Sequence, residues 1–313
     1  MKLYLIRHAE TTDNLSRFYA GSRDSPLTLH GVTQARLLAH HFSSTRPPLT
    51  HIFSSPLSRA HKTALALRDA QHQNVLEVIV VPELRERDFG LEEGQPYGRG
   101  GGSGAGGEDN KSVGMRAEKF LDGYLIPLLQ SGGEEEVAVV SHGILLSHLW
   151  RKLLQHLSRE RVLLGPAIAA TRGDIEEGGL EYLGTWSNTG YLELLLSKDS
   201  LAGGKYKRLL ASSGRALNHP TTTTPLTASV FLRSVGTKEA TLSEALTETK
   251  AQNPATQEPI PFPCGWTATI LAVDNKSHLA GLKRQRGGIG RLAHDERQRK
   301  LESFFPSKRL KAG

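Results

Sequence analysis

The stretch Leu3-Tyr4-Leu5-Ile6-Arg7-His8-Ala9-Glu10-Thr11 decides the fold class of this chain. Its first four side chains form an uninterrupted apolar run, which predicts a strand buried on both faces of a sheet. Arg7 and His8 follow at the carboxyl end of that strand, where open α/β sheets place ligand chemistry. A strand end that presents a cation and an imidazole side by side predicts a phosphate-binding site. The alternative is a polar strand end in which Glu10 pairs with Arg7.

Strand and helix patterns alternate over the first half of the chain. The strand patterns cover residues 3–7, 51–56, 75–81 and 137–140, and the helix patterns cover 28–43, 58–70, 111–130 and 143–157. Such alternation is typical of a mostly parallel sheet with helices on both faces. The predicted fold class is therefore α/β, a three-layer α/β/α arrangement with a mostly parallel central sheet.

Composition excludes several classes of protein. Cys264 is the only cysteine among 313 residues, which excludes an intrachain disulfide and a multi-thiolate metal site. The thirteen histidines show no metal-ligand spacing, so we predict no metal and no other cofactor. No apolar run is long enough for a membrane span, and the first residues lack the order of a signal peptide. We expect an intracellular protein without a membrane partner.

Two segments break the alternation. Residues 98–107 hold seven glycines but lack the context of a phosphate-binding loop, so we predict a flexible loop. Residues 198–263 are rich in threonine and proline and poor in aromatic residues, which predicts a disordered insertion. A strand pattern returns at 266–273.

Three further motifs follow strand patterns. One puts Arg59 in the first turn of a helix, one supplies the carboxylate of Glu86, and one places His142 directly after a strand. The motifs are Ser54-Ser55-Pro56-Leu57-Ser58-Arg59-Ala60, Leu84-Arg85-Glu86-Arg87-Asp88-Phe89-Gly90 with Glu92-Glu93-Gly94, and Val139-Val140-Ser141-His142-Gly143.

With these motifs, in this order, the chain resembles the histidine phosphatase superfamily in its phosphoglycerate-mutase-like branch. The resemblance covers residues 1–197 and includes Asn14, Gly21, Leu27-Thr28 and the segment 31–35. It implies that His8 attacks phosphorus and becomes phosphohistidine, while Glu86 protonates the leaving oxygen. The implied catalytic residues are His8, Glu86, His142, Arg7 and Arg59, and the implied substrate-binding residues are Arg7, Asn14, Gly21, Arg59, His142 and Gly143.

Each of these roles has a plainer alternative. Glu86 alone follows Leu84-Arg85 at the family's spacing, but it could also be a surface carboxylate paired with Arg85 or Arg87. Asn14 could be a helix cap. Arg59 could pair with a carboxylate of its own helix, although a cation at a helix start is unfavourable without an anion.

The reaction class depends on residues beyond Glu86. Mutases of this branch carry a Lys about a dozen residues later and an Arg-Arg pair further on, whereas here Gln95-Pro96-Tyr97 leads into the glycine-rich segment. The resemblance therefore favours a hydrolase of phosphomonoesters whose substrate class stays open. The alternatives are a mutase-like or sugar-bisphosphatase enzyme and a non-catalytic adaptor that binds a phosphorylated ligand.

The resemblance also divides the chain. The family often ends on two adjacent strands, which here would be 191–196 and 267–273, on either side of the insertion. The catalytic core is then 1–197, the insertion 198–263, the returning strand 264–282 and a basic tail 283–313. That tail carries a net charge of +7.

A motif in the tail resembles the peptide that docks on the sliding clamp of DNA replication, proliferating cell nuclear antigen. In residues 298–305, Leu301, Phe304 and Phe305 would form an apolar plug on one helical turn beside Gln298. The alternative is a terminal helix that packs on its own domain. The motif and the basic runs predict a nuclear and cytoplasmic protein whose contact with DNA is indirect or weak.

Overall fold

The computed structural model describes residues 1–71, 76–98, 106–157, 159–172, 179–198, 207–208, 265–284 and 290–295. Residues 99–105 of the glycine-rich segment, residues 199–206 and 209–263 of the predicted insertion, and the clamp-like motif at 298–305 therefore lie outside the described residues. Within these ranges the strands are β1 (Lys2–Arg7), β2 (His51–Ser54), β3 (Val78–Val80), β4 (Glu136–Ser141), β5 (Val162–Leu164), β6 (Tyr191–Lys198), β7 (Lys207–Arg208) and β8 (Trp266–Asn275). The helices are α1 (Thr12–Ser16), α2 (Leu29–Thr45), α3 (Ser58–Asp69), α4 (Asn110–Phe120), α5 (Ile126–Ser131), α6 (Gly143–His156) and α7 (Pro166–Arg172).

These strands form one mixed sheet in the order β3-β2-β4-β1-β6-β8-β5-β7. The first four run parallel to one another, and β5 runs parallel to β8. The remaining neighbours are antiparallel. The mostly parallel sheet confirms the predicted α/β class.

Helices cover both faces of the sheet because alternate side chains of β1 point to opposite sides. Tyr4 and Ile6 pack in a core with α2 and α3. Leu3 and Leu5 pack in the opposite core with α4, α5 and α6. The strand is buried on both faces, as its apolar run predicts. This is the predicted three-layer arrangement.

The two adjacent strands that the family resemblance predicts on either side of the insertion are also present. β6 and β8 lie side by side and antiparallel, with Leu196 opposite Ala268 and Leu194 opposite Ile270. The strand at the far end of the insertion is thus an interior strand of the sheet, between β6 and β5. Residues beyond 264 complete the same core that the first strand begins.

The element predictions need three corrections. The helix predicted over 111–130 is split by a π-helical turn, Leu121–Leu125, between α4 and α5. Pro127 explains the split, because it has no N–H to donate to the carbonyl four residues earlier. The strand predicted over 75–81 is shorter, Val78–Val80. The short elements α1, β5, β7 and α7 were not predicted, because two to seven residues are too few to show a periodicity. Of these, β7 pairs with β5 although it falls within the segment 198–263 that was predicted as disordered.

No helix in the described part of the chain is long and apolar enough to cross a bilayer.

Candidate active site

The candidate site lies at one edge of the sheet, where four parallel strands end together. His8 follows β1, Arg59 lies in the first turn of α3 after β2, and His142 follows β4. Glu86 comes after β3 through a short 3₁₀ turn, Pro82–Leu84. Because β3, β2, β4 and β1 are parallel neighbours, their carboxyl ends bring these four motifs to one place.

A cavity of about 620 Å³ opens at this edge. Its lining includes every predicted catalytic and substrate-binding residue except His142, which is fully buried behind it. The predicted members of the lining are Arg7, His8, Asn14, Gly21, Arg59, Glu86 and Gly143.

His8 presents a free ring nitrogen to the cavity. Its Nδ1 lies 2.7 Å from the carbonyl oxygen of Ala9. A carbonyl can only accept, so Nδ1 carries the proton and donates. The neutral ring then keeps the lone pair on Nε2. This is the tautomer that a nucleophilic imidazole requires.

His142 stands next to His8, with the two ring centroids 5.0 Å apart. Its Nε2 lies 2.8 Å from the hydroxyl of Ser55, and within the described residues its buried Nδ1 has no partner. Ser55 thus orients the second histidine of the site, a contact that the sequence did not predict. The signal was available, because Ser55 belongs to the same motif as Arg59.

Arg7 and Arg59 bring positive charge to the site without a carboxylate partner. Arg59 is 1% exposed and donates to the carbonyls of Gly21 and Arg23, both at 2.7 Å. Arg7 donates to the carbonyl of Trp186 at 2.6 Å. Neither forms an ion pair with any carboxylate of the described residues, which argues against Arg59 pairing on its own helix. Burial lowers the pKa of both guanidinium groups and outweighs the attraction of Glu86.

Glu86 is held by the start of α6. Its Oε2 accepts from the backbone N–H of Ile144 and its Oε1 from that of Leu145, both at 3.2 Å. Oε1 also accepts from the backbone N–H of Arg87 at 2.9 Å. Carboxylates bind well at helix N-termini. Within the described residues Glu86 forms no ion pair with Arg85 or Arg87, so the alternative of a paired surface carboxylate is not what the structure contains.

Asn14 serves both as a helix residue and as part of the cavity wall. Its Oδ1 accepts from the backbone N–H of Thr11 at 3.2 Å, which completes a capping box at α1. The same oxygen accepts from the side-chain amide of Asn188 at 3.0 Å. Asn188 also donates to the carbonyl of His8 at 3.0 Å, so it joins the nucleophile to Asn14. Asn188 was not among the predicted site residues.

Gly21 is at a position where a side chain does not fit. Its φ is +54°, in the left-handed region, and a Cβ there would lie 2.0 Å from the Oε1 of Glu93. That carboxylate accepts from the backbone N–H of Ser22 at 2.6 Å and fixes the loop. The carbonyl of Gly21 is thereby held where Arg59 reaches it.

We predict that His8 stays neutral well below pH 6.5. Burial lowers the pKa of its ring, and the positive charges of Arg59 and Arg7 lower it further. In an NMR titration of ¹³C-histidine-labelled protein, the His8 ring signal should not shift between pH 7.5 and 6. Arg59→Met should raise this pKa, because a repelling cation is lost. Arg68→Met, at the far end of α3, should leave it unchanged, and a half-titrated His8 near pH 6.5 would contradict the prediction.

Two parts of the cavity wall were not predicted. One is aromatic, with Tyr19 packed 4.6 Å from Phe89 and 4.7 Å from Tyr97 between ring centroids. The other is polar and lies on α6, where Ser147, His148 and Arg151 face the cavity. Helical spacing shows which residues share a face, but not that the face borders a cavity.

One group of side chains away from this cavity has the composition of a metal site. Ligand atoms of Glu118, Asp122 and His156 lie within 4.8 Å of one another. Glu118 also forms ion pairs with Lys152 at 3.2 Å and with His156. The sequence analysis did not single out these residues, because they come from α4, the π-helical turn and α6 and have no motif spacing.

Comparison with known proteins agrees with the motifs. The sequence model of the histidine phosphatase superfamily (branch 1) matches residues 3–182. The probable phosphoglycerate mutase GpmB of Yersinia enterocolitica is 35% identical over 170 residues, which are 49% of this chain and 75% of that protein.

Solved structures of phosphatases are among those that resemble this one. A mycobacterial glucosyl-3-phosphoglycerate phosphatase is 26% identical with a TM-score of 0.48, over 62% of this chain and 89% of that one. A phosphoserine phosphatase of Entamoeba histolytica is 24% identical with a TM-score of 0.45, over 62% and 90% of the two chains. The family match covers more than half of this chain, and the chain belongs to the histidine phosphatase superfamily.

Proposed function

We propose that this protein is a phosphomonoester hydrolase that acts through a phosphohistidine at His8. The observation that supports this most strongly is the free Nε2 of His8 in a cavity lined by Arg7 and Arg59, neither of which forms an ion pair within the described residues. A nucleophile in the right tautomer and uncompensated positive charge are what phosphoryl transfer requires. The cavity is the place where a phosphate dianion would offset the charge of Arg7 and Arg59.

The first step forms a bond between Nε2 of His8 and phosphorus while the ester P–O bond breaks. Arg7 and Arg59 stabilise the charge on the transferring oxygens. Glu86, the proposed general acid, delivers a proton to the leaving alkoxide. The ring of His8 keeps its Nδ1 proton on the carbonyl of Ala9, so the phosphorylated imidazole stays oriented.

The second step is hydrolysis. Glu86, now a carboxylate, takes a proton from water as the water attacks phosphorus and the P–N bond breaks. Phosphate is released, and neutral His8 is regenerated. We propose that no metal takes part, because the guanidinium groups of Arg7 and Arg59 supply the positive charge.

The defining experiment measures phosphate release over phosphopeptides, nucleotides and sugar phosphates, with and without a chelator. Release that the chelator leaves unchanged, with phosphohistidine detected after a denaturing quench, supports the proposal. Isomerisation of phosphoglycerate without net phosphate release would favour the mutase alternative. Binding of phosphorylated ligands without phosphohistidine would favour the adaptor.

Glu86→Gln is expected to slow hydrolysis of an alkyl phosphate by about 10²- to 10⁴-fold, the usual contribution of a general acid. Glutamine keeps the shape but has no acidic proton to transfer to the leaving oxygen. With p-nitrophenyl phosphate the formation of phosphohistidine should slow much less, because that leaving group needs no protonation. The measurement is pre-steady-state kinetics on both esters. Glu83→Gln, a carboxylate outside the cavity lining, is the control, and equal losses on both esters would contradict the role.

We also propose that the tail docks on the sliding clamp and that the protein works in the nucleus as well as the cytoplasm. The support is the sequence alone, since residues 298–305 lie outside the described residues. Phe304→Ala/Phe305→Ala should abolish capture of proliferating cell nuclear antigen, because the two rings are the apolar anchors. Lys308→Ala should keep most of it. Equal capture by the double variant and the unaltered chain would overturn this proposal.

A further inference from the structure

The cavity is more positive than one phosphate requires. Its described lining contains four arginines, Arg7, Arg59, Arg87 and Arg151, and a single carboxylate, Glu86. Arg7 and Arg59 stand beside His8 and account for the phosphate. The other two arginines are left without an assigned anion.

Arg151 lies on α6, farther along the helix from the nucleophile, and Arg87 lies in the loop that follows β3. Ile144, Ser147, His148 and Arg151 follow the spacing i, i+3, i+4, i+7 and form one stripe of the helix that faces the cavity. A helix rises 1.5 Å per residue, so His148 lies about 9 Å and Arg151 about 13 Å beyond His142 along the axis. Arginine side chains lean back toward the helix start, which shortens the second distance.

Within the described structure, no carboxylate forms an ion pair with Arg151. Arg116 forms a two-point ion pair with Glu108, and Lys152 pairs with Glu118. Arg151, which lines the cavity, has no ion pair or hydrogen bond within the described residues. An unpaired guanidinium in a concave, half-buried place is well suited to bind a carboxylate or a phosphate.

Arg87 and His148 complete the group. Arg87 donates through Nε to the carbonyl of Glu108 at 2.8 Å and packs on the ring of Phe89, which fixes its guanidinium at the cavity wall. Burial lowers the pKa of His148, and the nearby Arg151 and Arg87 lower it further. The two guanidinium groups are thus close enough to this ring to repel a proton on it.

From this arrangement we infer that Arg151, Arg87 and His148 form a second subsite that binds another acidic group of the substrate. The preferred substrates are then phosphomonoesters that carry a second phosphate or carboxylate roughly 10 Å from the first, two turns of helix away. This inference rests on the proposed function, since it takes the phosphate next to His8 as the reacting one. The inference is tested by measuring ligand binding, so the result does not depend on whether the protein hydrolyses the ligand.

The experiment compares hexyl phosphate with 1,6-hexanediol bisphosphate, two ligands that differ only in the second acidic group. Calorimetric titrations use the full chain with His8→Ala, which prevents turnover. The Kd of the bisphosphate should be at least tenfold lower than that of hexyl phosphate. Adding Arg151→Met should reduce this ratio to about threefold or less, because the long guanidinium is replaced by an apolar side chain of similar length.

Lys152→Met is the matched control, since it removes a positive charge from the next position of α6 but does not line the cavity. It should retain the tenfold ratio. A parallel titration with 6-(phosphonooxy)hexanoate shows whether the subsite prefers a carboxylate or a phosphate. A ratio near one in the parent, or a ratio that Arg151→Met leaves unchanged, overturns the inference. Hydrolysis of hexyl phosphate by the unaltered protein is measured separately and reports on the proposed function alone.

Discussion

The His8→Ala variant is expected to lose at least 10⁴-fold in the rate of phosphate release and to form no phosphohistidine. Loss of an enzymatic nucleophile has effects of this size or larger. Among the described residues that line the cavity, His8 is the one histidine whose free ring nitrogen lies beside Arg7 and Arg59, which form no ion pair there. Alanine leaves those arginines in place, so phosphate should still bind. Phosphate release and the phosphohistidine signal after a denaturing quench are the two measurements.

His40→Ala is the control for this variant, because His40 is exposed on α2 and lies outside the cavity lining. It should keep the activity of the unaltered protein. Phosphohistidine that persists in His8→Ala would show that another histidine is the nucleophile, and the assignment to His8 would then be wrong.

Arg59→Met is expected to lower kcat/KM for phosphate release by about 10³-fold, the usual cost of removing a preorganised donor to a developing charge. The side chain is 1% exposed and held by two backbone carbonyls, so its guanidinium is aimed before substrate arrives. The positive charge is therefore already in place, and water does not have to reorganise to stabilise the charge on the transferring phosphoryl group. Methionine fills much of the same volume, which separates loss of charge from loss of packing.

Phosphate itself gives a second measurement. In the unaltered protein, inorganic phosphate or vanadate should raise the Tm, because it binds the folded state only. Arg59→Met should abolish most of this rise. Arg68→Met is the control, since Arg68 lies on the same helix and pairs with Asp69 at the surface. A full phosphate-induced rise in Arg59→Met would contradict the phosphate role of this residue.

The sequence predicted most of the central sheet and its layers, because long apolar periods carry that information. The apolar run at 3–6 predicted β1, and the helix pattern at 143–157 predicted α6. What it did not predict has local causes. β5 spans three residues, and the π-helical turn before Pro127 interrupts a helix whose periodicity continues across it.

The candidate site was predictable to the extent that its residues lie in motifs at strand ends. His8, Arg59, Glu86 and His142 follow four strands that prove to be parallel neighbours, so the order of motifs along the chain was enough to group them. Ser55 and Asn188 act by orienting other residues, and such roles depend on tertiary contacts. Arg151 was missed because its face of α6 borders a cavity only in the folded molecule.

The interior position of β8 has a consequence for how the protein is made. During synthesis the first strands leave the ribosome long before Trp266. Until β8 is made, β6 has an unpaired edge, and the apolar side chains that pack against β8 in the folded protein are exposed. Forming that pair closes a long loop, which adds an entropic cost to folding and slows it. An exposed strand edge invites pairing with other chains. The newly made chain is therefore most prone to aggregate in the interval before β8 arrives, and expression at low temperature or with a chaperone that shields strand edges should raise the soluble yield.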